Sequence, residues 1–417
     1  MAEVSAHLVD HVFPEVPVRQ WVLSLPHRVR YLLARHPDLC REVRGIFARA
    51  VHSFYVRRAR SEGHGSGRCG SVVQIQRHDS AIRLDVHLHG LFLDGVYTGF
   101  DSRGLRRRPS PRCCLRFQKA KYLAQGDVEW MVRHIQALVF GHLRRRGFLD
   151  DEAALIGECE DACSELATHQ AAAVQGLIPF GQRAGQRATL FGEDPEVVSP
   201  RLGKKLCADH EGYSLHSGDV RRRAVRVGTG TGSRERLERL ARYVTRPPFA
   251  QDRLSVTRDG SIVYRFRKPW RNGKLAVVMD PMTFLSRLAA QVPPPRSHVL
   301  SYFGVLSAGA SRRDEIVPGS ARDDEEGQHQ CPAATGALAD DNKVKRQHPE
   351  RMLWSELVQR VFLSEILRCP CGGQRTVVAM IFKPSSIARI LRHLGLPLEP
   401  QPRAPPRPRQ AELPFDR

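Results

Sequence analysis

The chain has 417 residues and is 41% hydrophobic, enough for two or three domains with a sizeable core, which excludes a wholly disordered protein. Lys and Arg outnumber Asp and Glu by 65 to 44, giving a formal charge of +21 and a pI near 10.1. An excess of that size points to a polyanionic partner, most simply nucleic acid, and argues against a small neutral substrate.

The opening "MAEVSAHLVDH" lacks the pattern of a secretory leader, and no run of about 18 apolar residues is present, so no membrane span is expected. The ten cysteines then read as reduced thiols of a cytoplasmic protein. "RQWVLSLP" (Arg19 to Pro26) has strand character. The following segment has helical periodicity, with Val43, Ile46, Phe47, Ala50 and Phe54 on one stripe, and ends at the turn signal "EGHGSGRCG". "SVVQIQR" and "IRLDVHLHGLFLDGVY" read as two strands joined by the turn "RHDSA". A polar, partly helical stretch reaches Leu149, and a helix capped by Asp150 and Asp151 follows.

"GYSLHSG" and the loop "VGTGTG" precede a helix in "SRERLERLARYVTRPP", where Ser233 is the cap, Leu237, Leu240 and Val244 form the apolar stripe, and Pro247 and Pro248 end it. "SVTRDGSIVYRF" is a hairpin turning at Asp259-Gly260, and "DPMTFLSRLAAQV" an amphipathic helix stopped by three prolines. Residues 307–351 turn polar and acidic, as a flexible linker does, ahead of a helix in "MLWSELVQRVFLSEIL", a small module at 352–400 and a disordered Pro/Arg tail at 401–417. Strands and helices alternate without βαβ regularity, which predicts an α+β fold.

Residues i and i+2 of a strand share a face, so His87 and His89 of "LDVHLH" project side by side. Two imidazoles so placed suit one divalent cation, with Gln76 on the preceding strand as the nearest third ligand. "LDVHLH" also fits the D-x-H-x-H of metal-dependent amidohydrolases, Asp85 included, but that fold needs eight βα units, and their alternation is missing. The second class that uses this pattern is the HUH endonucleases, named for His-hydrophobic-His.

Here the resemblance extends beyond the motif. "VPVRQWVLSLPHRVRYLLARHPDLC", "QRHDSAIRLDVHLHGLFLDGVY", "GYSLHSG", "LERLARYVTRPPFA", "DPMTFLSRLAAQVPPP" and "VFLSEILRCPCGG" occur in one order. Together they resemble the transposases of rolling-circle insertion sequences, the insertion-sequence-ninety-one family and its common-region relatives. The resemblance implies a catalytic region over residues 1–306 built on a ferredoxin-like antiparallel sheet. It implies that the HUH strand at 81–95 is central and that the tyrosine helix lies at 233–246. It also implies Mg²⁺ or Mn²⁺ at the histidines, single-stranded DNA at element ends as partner, and a nucleophilic tyrosine that becomes joined to a 5′ phosphate. The family position of that tyrosine is Tyr243. Two-tyrosine members carry a second Tyr four residues earlier, where this chain has Arg239, so it is similar to the single-tyrosine branch. The less favoured alternatives are Tyr213 and Tyr264.

The chemistry is coherent on its own terms. A phosphodiester repels nucleophiles, a cation on its non-bridging oxygens removes that penalty, and a tyrosine stores the bond energy without ATP. "GTGTG" lacks the Gly-Lys-Ser/Thr of a phosphate-binding loop. Arg242 and Arg246 flank Tyr243 as phosphate contacts, with Arg221, Arg222, Arg223, Arg106, Arg107 and Arg108 as further DNA contacts. Arg83, Asp85-Val86, His78-Asp79 and Phe303 depart from the family pattern, which leaves a catalytically degenerate, DNA-binding remnant as the alternative. "CPCGG" is one residue short of CxxC, and Cys369 and Cys371 have no second ligand pair nearby, so no zinc is expected there. The chain opens where relatives follow a Cys-rich zinc segment, so a truncated start is expected, and with it a nucleoid-associated bacterial protein with poor discrimination of element ends.

Overall fold

The computed structural model describes residues 2–100, 115–149, 165–191, 206–217, 226–227, 233–270, 273–295, 297–318, 352–362, 367–369, 371–376 and 381–398. The chain divides into one unit over Glu3–Asp340 and a second over Asp341–Arg417. In chain order the first holds α1 (Ala2–His11), β1 (Val18–Ser24), α2 (His27–Arg35), α3 (Pro37–Ser61), β2 (Gly70–His78), β3 (Leu84–Leu93), β4 (Gly95–Thr98), β5 (Arg116–Lys119), α4 (Gln125–Arg145) and α5 (Glu165–Gln175). It continues through β6 (Thr189–Phe191), β7 (Cys207–His210), β8 (Tyr213–His216), β9 (Arg226–Val227), α6 (Ser233–Val244), β10 (Leu254–Val256), β11 (Ile262–Arg265), β12 (Ala276–Met279), α7 (Pro281–Gln291) and β13 (Leu300–Gly304). The second unit holds α8 (Trp354–Phe362) and α9 (Pro384–His393).

The main sheet runs β13-β2-β3-β1-β8-β7, with β9 pairing β1 beyond the end of β8, and all its pairs are antiparallel. The fold is α+β, and the strand bearing the two histidines is interior. Side chains on β3 alternate between faces. Val86, Leu88 and Phe92 point to the side covered by α3, where Phe92 meets Phe47 edge to face and Trp21 of β1 meets Phe54. The barrel that an amidohydrolase needs is not this topology.

Two long readings break in the structure. The helical stretch after β1 is two helices, because Pro37 lacks an N–H and pushes His36 out of the helical region, to φ −108° and ψ 89°. The histidine strand ends at Leu93 because Asp94 turns inward. There Arg19 donates to both carboxylate oxygens, at 2.9 and 3.2 Å, and the Tyr55 hydroxyl donates to Oδ1 at 2.9 Å, all in the core. The edge strands of this sheet, β7 and β13, are only 4 and 5 residues long, too short to stand out in the sequence. Past β13 the chain stays packed, with Ile316 and Val317 buried where a linker is expected.

The turn between β2 and β3 acts as a plug. Asp79 accepts from the backbone N–H of Ala81 and Arg83 and from the Arg83 guanidinium. That arrangement drives Ala81 and Ile82 into a second core formed by the sheet β10-β11-β12-β6 and α7. Ile82 sits at φ +58°, a strained conformation for a β-branched residue, held by Gln291 donating to its carbonyl at 2.7 Å. In the second unit a turn brings the Cys369 N–H to the Gly373 carbonyl, and the Arg375 guanidinium reaches the Cys369 sulfur at 3.8 Å. Among the described residues no helix is long and apolar enough to cross a membrane.

The Asp94 cluster yields a direct expectation. Asp94→Ala leaves the Arg19 guanidinium buried without its carboxylate, and breaking such a pair costs about 3–5 kcal/mol. The urea unfolding midpoint should fall accordingly, with an unchanged slope.

Candidate active site

His87 and His89 lie on the β3 face opposite α3, with ring centroids 4.9 Å apart. His87 Nδ1 meets the Asp85 carbonyl at 2.8 Å. A carbonyl only accepts, so Nδ1 carries the proton and the Nε2 lone pair is free. His89 is 4% exposed, and its Nδ1 lies 2.8 Å from the Gln20 side-chain amide. Burial, then repulsion from the neighbouring His87, Arg246, His78 and His216, holds His89 well below the usual histidine value, so it is neutral at pH 7. His78 is lowered to about 4 by burial, with Arg246 and His87 adding to the effect.

Gln76 pairs with His87 across β2 and β3. Its Nε2 donates to the Val244 carbonyl at 2.7 Å, at the last residue of α6, while its Oε1 is buried without a partner. The helix forms from a sequence with Leu237, Leu240, Ala241 and Val244 on one buried stripe, and it is anchored at its other end by Arg234, which donates to the Phe13 carbonyl at 2.7 Å and to that of Val9. These two attachments carry Tyr243 to the histidines. Its ring centroid is 5.9 Å from that of His89, and the residue stays 40% exposed. The Arg246 guanidinium lies over the Tyr243 ring at 4.8 Å, and its buried Nε makes no hydrogen bond. Arg242 turns instead to Glu238, at 2.5 Å.

His87, His89, Gln76, Tyr243 and Arg246 are therefore brought together. Arg106, Arg107, Arg108, Arg221, Arg222 and Arg223 lie outside the described residues. The alternative tyrosines are elsewhere: Tyr213 is buried on the α3 side of the sheet, its phenol pushed up to about 12 by burial and Glu211, and Tyr264 is buried in the second core. Three positions depart from the family pattern for local reasons. Asp79 organises the β2–β3 turn and pairs Arg83, which also lies over Trp270, while Phe303 packs against the core.

Sequence reading missed Gln20, Ser24, Ser214 and His216. Val22 pairs with both His89 and His216, and Ser24 with both His87 and Ser214, so all four share the histidine face. The polar alternation in "RQWVLS" and "YSLHS" was the available signal. Among the described residues no cluster of three or more His, Cys, Asp or Glu could hold a metal ion.

Residues 70–314, more than half of the chain, match the family model described as "Putative transposase". No curated protein and no solved structure matches.

Gln20→Ala should leave the buried His89 Nδ1 without a partner. The loss is on the order of 1–3 kcal/mol, measurable by urea unfolding, while Tyr243→Phe should leave the same midpoint unmoved.

Proposed function

The chain belongs to this transposase family, whose members process DNA, and from that premise we propose that it nicks and rejoins single-stranded DNA through a 5′-phosphotyrosine, as a single-tyrosine HUH enzyme of rolling-circle transposition. The observation that carries the reading is the convergence of an exposed tyrosine, two imidazoles and an unpartnered amide oxygen at one point on the sheet. Tyr264, buried in the second core, also has a guanidinium over its ring but lacks that exposure.

The residues fit a divalent cation, Mg²⁺ or Mn²⁺. His87 Nε2 points away from the Asp85 carbonyl and Gln76 Oε1 is an orphaned acceptor, while the Gln20 amide nitrogen donates to His89 Nδ1 as placed, so His89 would offer Nε2 only once that amide turns to present its oxygen. His87, His89 and Gln76 would hold the ion, and once bound it would neutralise non-bridging oxygens of the scissile phosphate.

The chain's own groups account for the rest. Tyr243 Oη forms the new P–O bond as the P–O3′ bond breaks. Its phenolic proton leaves, and the departing 3′ oxygen takes one up, so the step is proton-neutral overall. Arg246 lies where it would stabilise negative charge developing on the phenol. The phosphotyrosine conserves the bond energy, and the 3′ hydroxyl reverses the step to rejoin DNA.

With an oligonucleotide carrying candidate element ends and Mn²⁺, the wild-type chain should form an SDS-stable adduct. Tyr243→Phe should abolish it and leave strand binding intact. An adduct formed at the wild-type rate by the Phe variant would place the nucleophile elsewhere, and a wild-type chain that binds but never forms adduct would be a non-cleaving remnant.

Metal affinity is a separate readout. His87→Ala and Gln76→Ala should each weaken Mn²⁺ binding by calorimetry by at least the roughly 10- to 100-fold that outer-sphere partners cost. Unchanged affinity in both would remove these side chains from the ligand set.

A further inference from the structure

The α3 face of the sheet carries a second concave site that the strand-nicking reading does not use. It is a cavity of about 450 Å³ between the start of α3, the β2–β13 edge and the loop after α7. Ile75 and Arg77 line it from β2, and Ser301 from β13. These alternate with Gln76 and Leu300, so the sheet lies between this cavity and the histidines.

Its electrostatics are unbalanced. Arg44 is 4% exposed and Arg77 is 7% exposed, and no carboxylate among the described residues pairs with either. Arg77 is held by backbone carbonyls at two helix ends, those of Ala34, Ala290 and Gln291. Arg44 donates once, to the His298 carbonyl at 2.5 Å, and its Nε is buried with no partner. The Ser297 hydroxyl, also on the wall, is likewise buried and unpartnered. Asp38, the only carboxylate of the lining, is engaged by Arg41. The Cys40 thiol, pushed up to about 11 by burial, is neutral at pH 7 and supplies no counter-charge. Two desolvated cations without a counter-charge, one of them, Arg44, with an unused donor, are expensive to leave unmatched. The N-terminus of the long helix α3, which has no side-chain cap, adds positive potential at the rim.

We propose that this cavity is a phosphate-binding site, with Arg44 and Ser297 as direct donors and Arg77 as the fixed charge beneath them. A guanidinium and a hydroxyl converging on one buried space match the multiple acceptors of a tetrahedral phosphate. The volume admits a group of nucleotide size. The phosphate has two possible sources, a backbone phosphodiester of DNA or a free phosphate monoester.

The test uses the full chain and thermal shift plus calorimetry, with inorganic phosphate, a deoxynucleoside monophosphate, and an oligonucleotide lacking terminal phosphates as probes at constant ionic strength. Arg44→Gln and Ser297→Ala should each weaken binding of at least one probe, the arginine change by about tenfold or more. Arg267→Gln, an equal charge change at an exposed position, and Tyr243→Phe should not. Loss of inorganic phosphate and monophosphate binding assigns a monoester, and loss confined to the oligonucleotide assigns the backbone. Equal losses from Arg44→Gln and Arg267→Gln would mean non-specific attraction to a basic chain and would overturn the site. So would wild-type affinity for every probe in both Arg44→Gln and Ser297→Ala. Because Tyr243→Phe retains the phosphate response in either case, failure here leaves the nicking reading untouched, and the converse holds.

Discussion

A strand alternates its faces with a period of two, and β3 uses that constraint to divide the first unit. Leu88 and Phe92 go to the helical side and supply its core, so His87 and His89 have only the other side available. A slip of one residue would place both imidazoles under α3 and the leucine and phenylalanine on the face now holding the histidines. The register is pinned at the far end of the strand by Asp94, whose carboxylate is gripped by Arg19 of β1 and Tyr55 of α3. Core packing and site geometry are thus one requirement, imposed on neighbouring residues of one strand.

Gln76 then links that strand arrangement to the helix that carries Tyr243, the proposed nucleophile. One end of its amide fixes the final carbonyl of α6 and the other end waits beside His87. Any group that engages the oxygen also orients the nitrogen, because the two share a plane. In the proposed chemistry, cation binding and tyrosine placement are therefore coupled through a single side chain. The opposite end of α6, tethered to α1 by Arg234, limits how far the helix can swing.

The sequence made some of this legible and not the rest, for identifiable reasons. His87 and His89 stand out because two polar residues interrupt an apolar run, and the α6 stripe because its period is 3.6. Gln76 could be suggested because it lies on the adjoining strand. Gln20 and His216 could not, since their contribution depends on β1 lying between β3 and β8, a pairing that joins residues far apart in the chain. The break at His36-Pro37 was readable from proline chemistry, yet the apolar stripe runs through it and masks the boundary. The role of Asp79 was hidden because a carboxylate in a turn looks like an ordinary surface residue until its three donors are seen.

The basic charge also needs a finer reading than its total suggests. Several arginines do internal work, their guanidiniums aimed at backbone carbonyls rather than at solvent: Arg287 at Ala81 and Gly176, Arg77 at Ala34, Ala290 and Gln291, and Arg234 at Phe13. A guanidinium suits that role because it carries five donors in a fixed plane and so can satisfy carbonyls from separate elements at once. These residues fasten α7, α5, α2 and the β2–β3 turn, and they have little left to offer a polyanion. Taking a few such staples from an excess of 21 still leaves a strongly basic chain, so the inference to nucleic acid survives. What changes is where to look for contacts. A buried arginine counts toward binding only if it keeps unspent donors beside a cavity, as Arg44 does across the sheet.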